Sequence, residues 1–375
     1  MYRDSRSLAD VFGSAAWIDY RDRPIGAAEI DLVGEHFSGL LEGSSAFAYS
    51  SAFEASDPGE LRAQFAIAPG TPVLLVPMSS EDEINAARLA DALPSSSGQA
   101  SLFDGQFDWI AFLLTYAREH PDRHLIIRLH PRMFPNKRDS VRSPIVDTLM
   151  ELLADLPSNV SLNLPTDAVS LYDLMQIVDV VLSYRSSVGA ELAAFGIPVV
   201  VPSNGDFFTY PEEINRIGHT KAQYAAQIDQ AISDGWSIEN TRRAFRWFAF
   251  LFTRIAVDFS DSVSSRPITI RPKKPGLRLW LWRKAVYIFI QFGPLLRERI
   301  ALRNRAFPVS SQRLFLDVLE HDRTNLADST AWAPVRSNLG EETRLLDDYL
   351  TGLAATLWKD IATPDSLTTR IRSRG

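Results

Sequence analysis

The chain has 375 residues, of which 46% are hydrophobic and 23% charged, and its net charge is −7. That length and apolar fraction suffice for a packed core in one large domain or two modest ones, and they exclude a disordered chain. The absence of cysteine excludes disulfides and thiolate chemistry, and the net negative charge argues against a nucleic-acid partner. No apolar run reaches the roughly 20 residues of a membrane span. We therefore expect a cytoplasmic globular protein.

The order of predicted strands and helices along the chain indicates an α/β protein. In residues 1–65 the apolar residues have no sustained periodicity, which predicts a helical or irregular segment packed on the next unit. From Thr71 onward, short apolar runs alternate with stretches whose apolar residues have helical spacing. The predicted strands are Val73–Val76, Leu125–Leu129, Val160–Leu164, Val180–Ser183 and Val199–Val201. The predicted helices are Phe107–Glu119, Ile145–Leu156, Ser170–Ile177, Val188–Phe195, Lys221–Ile232 and Asn240–Phe259, the last buried on nearly every face. Residues 66–260 therefore predict a Rossmann-like doubly wound parallel sheet with helical extensions.

A basic segment follows the predicted sheet, at residues 261–309. Between Arg266 and Arg305 there are eleven Lys or Arg residues and a single acid, Glu298. This pattern suits an interfacial helix bound to an anionic membrane surface through residues 266–305, which would place the protein on the inner face of the cytoplasmic membrane. A helix docked on an acidic face of the same protein is the alternative. Residues 310–375 predict a helical carboxyl-terminal tail.

The first candidate site motif is LIIRLHPR. Its predicted strand contains Arg128 and runs into His130, Pro131 and Arg132. Ligands of open parallel sheets bind at the carboxyl ends of the strands, where His can donate a hydrogen bond and Arg can bind phosphate with two. A second His-Pro pair, His120-Pro121, precedes a strand and predicts only a turn that ends a helix.

The second motif is VVLSYRSSVGAELAAFGIPVVVP. Here a strand runs into Ser186 and Ser187 and then into a helix that carries Gly189 and Glu191. Either serine can cap the helix, the first-turn N–H groups can face a phosphate, Gly189 allows close approach, and Glu191 can accept from ribose hydroxyls. Such caps are also ordinary helix design, so it is the pairing with the first motif that favours a nucleotide site.

These motifs resemble those of bacterial capsule polysaccharide biosynthesis proteins, which have the GT-B type of glycosyltransferase fold. The resemblance covers Leu61 to about Ser260 and includes VLLVPMSSEDE and the stretch FDWIAFLLTYAREHPDRHLIIRLHPR. In related sialyl-, Kdo- and polyol-phosphate transferases, a His-Pro and a Ser-Ser motif hold the phosphate and ribose of a CMP- or CDP-linked donor. The resemblance thus implies donor contacts at His130, Pro131, Ser186 and Ser187. UDP-dependent relatives use a similar Ser-Gly and Glu arrangement, so the base stays open, with cytidine favoured.

The resemblance implies the carboxyl-terminal half of a GT-B fold. The acceptor half of such an enzyme needs on the order of 150 residues, and about 65 precede the core here. We therefore expect a short or incomplete amino-terminal half: the chain begins late, another protein supplies that half, or catalysis is lost. No catalytic base is assigned.

Three functions remain open at this point. The first is glycosyl transfer from a nucleotide sugar to a glycan or lipid-linked glycan, with no cofactor and no metal. The acidic stretch Glu81-Asp82-Glu83 could be considered as a metal site, but it predicts a solvated turn. The second is transfer of a polyol phosphate from a CDP-activated donor, which the run Ser183-Tyr184-Arg185-Ser186-Ser187 disfavours because it lacks that group's Asp. The third is a non-catalytic nucleotide-binding or scaffolding subunit of a polysaccharide assembly complex.

Overall fold

A computed structural model describes residues 15–44, 50–54, 56–89, 101–135, 140–167, 169–203, 210–255 and 338–357. The basic segment 266–305 lies outside these residues, and its predicted membrane surface stays a prediction. Among the described residues, no helix combines the length and the apolar character needed to cross a membrane.

Six parallel strands form one sheet in the order β3-β2-β1-β4-β5-β6. They are β1 Val73–Pro77, β2 His124–Arg128, β3 Val160–Asn163, β4 Val180–Leu182, β5 Val199–Pro202 and β6 Asn215–Gly218. All five predicted strands are present, with ends that differ by at most one residue. β6 was not predicted because its sequence, NRIG, has one apolar side chain, and its residues are mostly half-buried at the sheet edge.

The described helices are α1 Ala15–Arg21, α2 Ala27–Leu41, α3 Pro58–Gln64, α4 Glu81–Leu89, α5 Gln106–Glu119, α6 Ile145–Leu152, α7 Leu171–Leu174, α8 Val188–Ala193, α9 Lys221–Asp234, α10 Ile238–Phe250 and α11 Leu339–Leu357. Glu81-Asp82-Glu83 form the first turn of α4. The predicted solvated turn is therefore wrong, since acidic side chains near the partial positive charge of a helix start stabilise a helix. His120 directly follows the last residue of α5, which confirms the predicted helix-ending turn.

Helices cover both faces of the sheet. In β1, Val73 and Leu75 point into one core, with α1, α2, α7, α8, α10 and α11, while Leu74 and Val76 point into the other, with α5, α6 and α9. This alternation of buried side chains confirms the Rossmann-like doubly wound sheet.

The helix predicted at Asn240–Phe259 begins at Ile238 and ends at Phe250, followed by a π-helical turn over Leu251–Ile255. Residues 256–259 lie outside the described part. Its predicted burial is confirmed, because Phe245, Ala249 and Phe250 are at most 1% exposed. α10 packs against α1, α2, α8 and α11, so it joins both ends of the described chain to the sheet.

Candidate functional site

A cavity lies at the carboxyl end of the sheet, beside its central strands. β1 lies between β2 and β4. The chain leaves β1 for helices on one face and leaves β4 for α8 on the other, which opens a crevice between these strands. Six of the eight predicted site residues line this cavity: Arg128, His130, Pro131, Ser186, Ser187 and Glu191. The tertiary structure thus brings the two sequence motifs together.

Arg128, the last residue of β2, is a largely buried cation. Its guanidinium donates to the side-chain oxygen of Asn163, to the Val169 carbonyl at 3.1 Å and to the Ser50 hydroxyl at 3.4 Å. All three acceptors are neutral, and Arg128 takes part in none of the ion pairs among the described residues. Burial lowers the pKa of Arg128 to about 10, so it is still a cation at neutral pH. A buried charge held by neutral groups favours an anionic ligand in the cavity.

His130 precedes the short 3-10 turn Pro131–Met133 and is a neutral ring at physiological pH. Burial lowers its pKa to about 4, since a charged imidazole is poorly solvated there. Its Nδ1 accepts from the Arg132 backbone N–H at 3.2 Å. The proton of the neutral ring therefore lies on Nε2, which makes this nitrogen the hydrogen-bond donor.

Ser187 and Glu191 form a hydrogen-bonded pair on α8. The Ser187 hydroxyl donates to one Glu191 carboxylate oxygen at 3.2 Å and does not accept from the first-turn N–H groups. The predicted side-chain cap is therefore wrong for Ser187, whose backbone is already helical. Ser186 lies in a turn in which its N–H donates to Ser183 at 3.3 Å. Burial raises the pKa of Glu191.

Gly189 and Arg132, the other two predicted residues, do not line the cavity. A Cβ at Gly189 would lie 1.8 Å from the Tyr210 hydroxyl oxygen. The close approach that this glycine allows in the structure is thus that of Tyr210. Arg132 is exposed and forms an ion pair with Glu83 of α4.

Sequence reasoning missed two polar side chains that line the cavity, Ser50 and Tyr172. Ser50 follows α2, and its hydroxyl accepts from the Leu171 backbone N–H at 2.8 Å. Tyr172 lies in α7 and donates to Glu191 at 3.2 Å. Ser50 is 78 residues from Arg128 and carried no motif, so only the fold reveals its place. Tyr172 had a local signal, because it lies in the first turn of the short helix that comes after β3 along the chain.

The described residues contain no group of three or more acidic or histidine side chains placed to hold a metal ion. Glu81 instead accepts from Gln106 at 3.2 Å, and Glu83 pairs with Arg132.

No protein-family model and no curated protein matches the sequence. Among solved structures, the chain is similar to a UDP-GlcNAc 2-epimerase from Neisseria meningitidis bound to UDP-GlcNAc, with 18% identity, coverage of 57% of this chain and 49% of that chain, and a TM-score of 0.34. It is also similar to the spinosyn rhamnosyltransferase SpnG complexed with spinosyn aglycone, with 17% identity, 51% and 46% coverage and a TM-score of 0.32. A third is Thermosulfurimonas dismutans KpsC, a beta Kdo 2,4 transferase, with 14% identity, 55% and 67% coverage and a TM-score of 0.24. The chain spans about half the length of the first two structures, and at these scores no family or activity follows from any of them.

Proposed function

We propose that this chain is a glycosyltransferase-like protein of capsule or surface polysaccharide biosynthesis, and that the cavity beside β1, β2 and β4 binds a nucleotide-activated sugar. The proposal depends on one observation above all: Arg128, a buried cation with neutral partners, lies at the crevice of a doubly wound sheet. In such sheets the crevice is the usual ligand site. A phosphate group there would give Arg128 an anionic hydrogen-bond acceptor beside its three neutral ones, whereas Asp167 acts on it only through its charge.

The charges of the cavity favour a CMP-linked donor over a UDP-linked one. Among the described residues that line the cavity, Arg128 is the only permanent cation and Glu191 the only carboxylate. One cation suits the single charge of the phosphodiester in a CMP-linked sugar better than the two charges of a pyrophosphate. The resemblance of the His-Pro and Ser-Ser motifs points the same way.

The chemistry expected of this cavity is stabilisation of the departing nucleotide. As the bond from the sugar to the phosphate oxygen breaks, negative charge grows on the phosphate. Arg128 is held in place before the reaction, and the neutral His130 ring carries its proton on Nε2, so both are donors that can stabilise that charge. The acceptor, a glycan or lipid-linked glycan, would approach in an assembly with a second, acceptor-binding half, as in a GT-B enzyme.

The test is calorimetric binding of CMP, CDP, UDP and GDP to the purified chain. We expect selective binding of a cytidine nucleotide, weakened at least tenfold in Arg128→Gln, because a hydrogen bond to a charged group is lost. Arg118→Gln removes an exposed arginine of α5 and is the matched control, with affinity expected to be unchanged.

Because Arg128 is buried, its replacement can also destabilise the fold. His130→Asn keeps a polar side chain at a half-buried position and is a second variant for the same cavity; we expect it to weaken binding while the melting temperature stays near that of the wild type. Absence of binding by all four nucleotides would contradict the proposed donor site.

A further inference from the structure

The carboxylate of Glu191 is held by hydroxyl groups from two different helices. One oxygen accepts from Ser187, at the start of α8, and the other from the phenol of Tyr172, in α7, each at 3.2 Å. Tyr172 is 2% exposed and its ring packs in the core that contains α8 and α10. A donor so firmly packed fixes the plane of the carboxylate it contacts.

This arrangement leaves Glu191 able to accept further hydrogen bonds. A carboxylate has about four acceptor positions, and the two hydroxyls occupy one on each oxygen. Two remain, and Glu191, Tyr172 and Ser187 all line the cavity. A ligand with two adjacent hydroxyl groups can donate one hydrogen bond to each oxygen.

The ribose of a nucleotide carries such a pair, its 2′- and 3′-hydroxyls. The same cavity holds Arg128 and His130, the proposed phosphate contacts. Within one nucleotide, the phosphate and the ribose diol are close enough for both to be bound in a single cavity.

We propose that Tyr172 is a positioning residue that orients Glu191 toward the ribose diol and so makes the cavity selective for ribonucleotides over 2′-deoxyribonucleotides. This inference rests on the proposed nucleotide site. Tyr172 acts through Glu191: its hydroxyl holds the carboxylate at the angle at which both ribose hydroxyls can be bound.

The experiment compares CMP with 2′-deoxy-CMP, and UDP with 2′-deoxy-UDP, in wild type, Tyr172→Phe and Tyr116→Phe. Tyr116 contacts Arg123 and Asp229 and does not line the cavity, so it is the matched control. We expect the wild type and the control to prefer the ribonucleotide about tenfold, because a hydrogen bond to a charged group is at stake. Tyr172→Phe should lose most of that preference while its affinity for the deoxynucleotide stays the same.

Three results would overturn the inference. If Tyr172→Phe weakens both nucleotides equally, or keeps the wild-type preference, then Tyr172 has only a packing role, although the nucleotide site stands. If the wild type binds neither nucleotide of either pair, the proposed function itself fails and the inference fails with it.

Discussion

Arg246 donates two hydrogen bonds to Glu342, from Nε at 2.9 Å and from Nη2 at 2.7 Å, although the two residues are 96 positions apart. Glu342 is fully buried, lies 3.2 Å from Arg242 and also accepts from the Ile25 backbone N–H at 2.9 Å. This carboxylate therefore links α11 to α10 and to the start of α2, which places both ends of the described chain on one face of the sheet.

Loss of that carboxylate should destabilise the protein strongly. We expect Glu342→Gln to lower the free energy of unfolding by about 3 kcal/mol, because the buried Arg246 loses its counter-charge and Arg242 keeps only that of Glu239. Asp348→Asn on the same helix breaks only the exposed pair with Arg344 and should cost about 0.5 kcal/mol or less. Urea unfolding measures both, and equal effects would contradict a buried role for Glu342.

Arg132 is restrained by Glu83, and removal of that carboxylate should strengthen phosphate binding. Glu83 is also close enough to act on the charge of His130. We expect Glu83→Gln to raise nucleotide affinity a few-fold, since a negative charge near the proposed phosphate site is lost. Asp82→Asn removes the same charge from the same helical turn without an ion pair to Arg132, so it should have the smaller effect in calorimetry. Weaker binding by Glu83→Gln would show that the ion pair supports the site.

His124 should make the fold sensitive to mild acid. Burial lowers its pKa from 6.5 to about 4, and its Nε2 lies 2.9 Å from the Ser161 hydroxyl. The unfolded chain thus takes up a proton at a higher pH than the folded chain, so the contribution is complete above pH 6.5 and is lost as pH falls toward 4. Between pH 7 and 5, wild type should lose about 2 kcal/mol more than His124→Gln in urea unfolding. The exposed His219→Gln is the control, and a pH response in His124→Gln equal to that of wild type would refute the assignment.

The hydroxyl of Tyr210 lies where a side chain at position 189 would be, so the packing requires glycine there. We expect Gly189→Ala to lower the free energy of unfolding by about 1–3 kcal/mol, because the added methyl overlaps the phenol oxygen. Tyr210→Phe removes that oxygen and should recover part of the loss. Gly352→Ala, in α11, meets no other described part of the chain within 4 Å of the added Cβ and should instead stabilise by about 0.5–1 kcal/mol. Thermal and urea unfolding test all three, and a Gly189→Ala protein as stable as wild type would rule out the overlap.

The sequence by itself determined the sheet and the two motifs that the fold brings to the candidate site. Buried parallel strands are short apolar runs, and ligand contacts follow strand ends, so β1 to β5, His130 and Ser186 could be found from local pattern. β6 was not predicted, because an edge strand needs little apolar surface and so has no apolar run in its sequence.

Only the tertiary structure decided which partners these residues meet. Ser50 reaches Arg128 across 78 positions, Tyr172 holds Glu191, Glu83 engages Arg132, and Tyr210 fills the space left by Gly189. None of these pairs has a sequence signature, because contacts between distant segments depend on how helices pack on the sheet. Local periodicity reports which face of an element is buried, whereas packing decides what lies against that face.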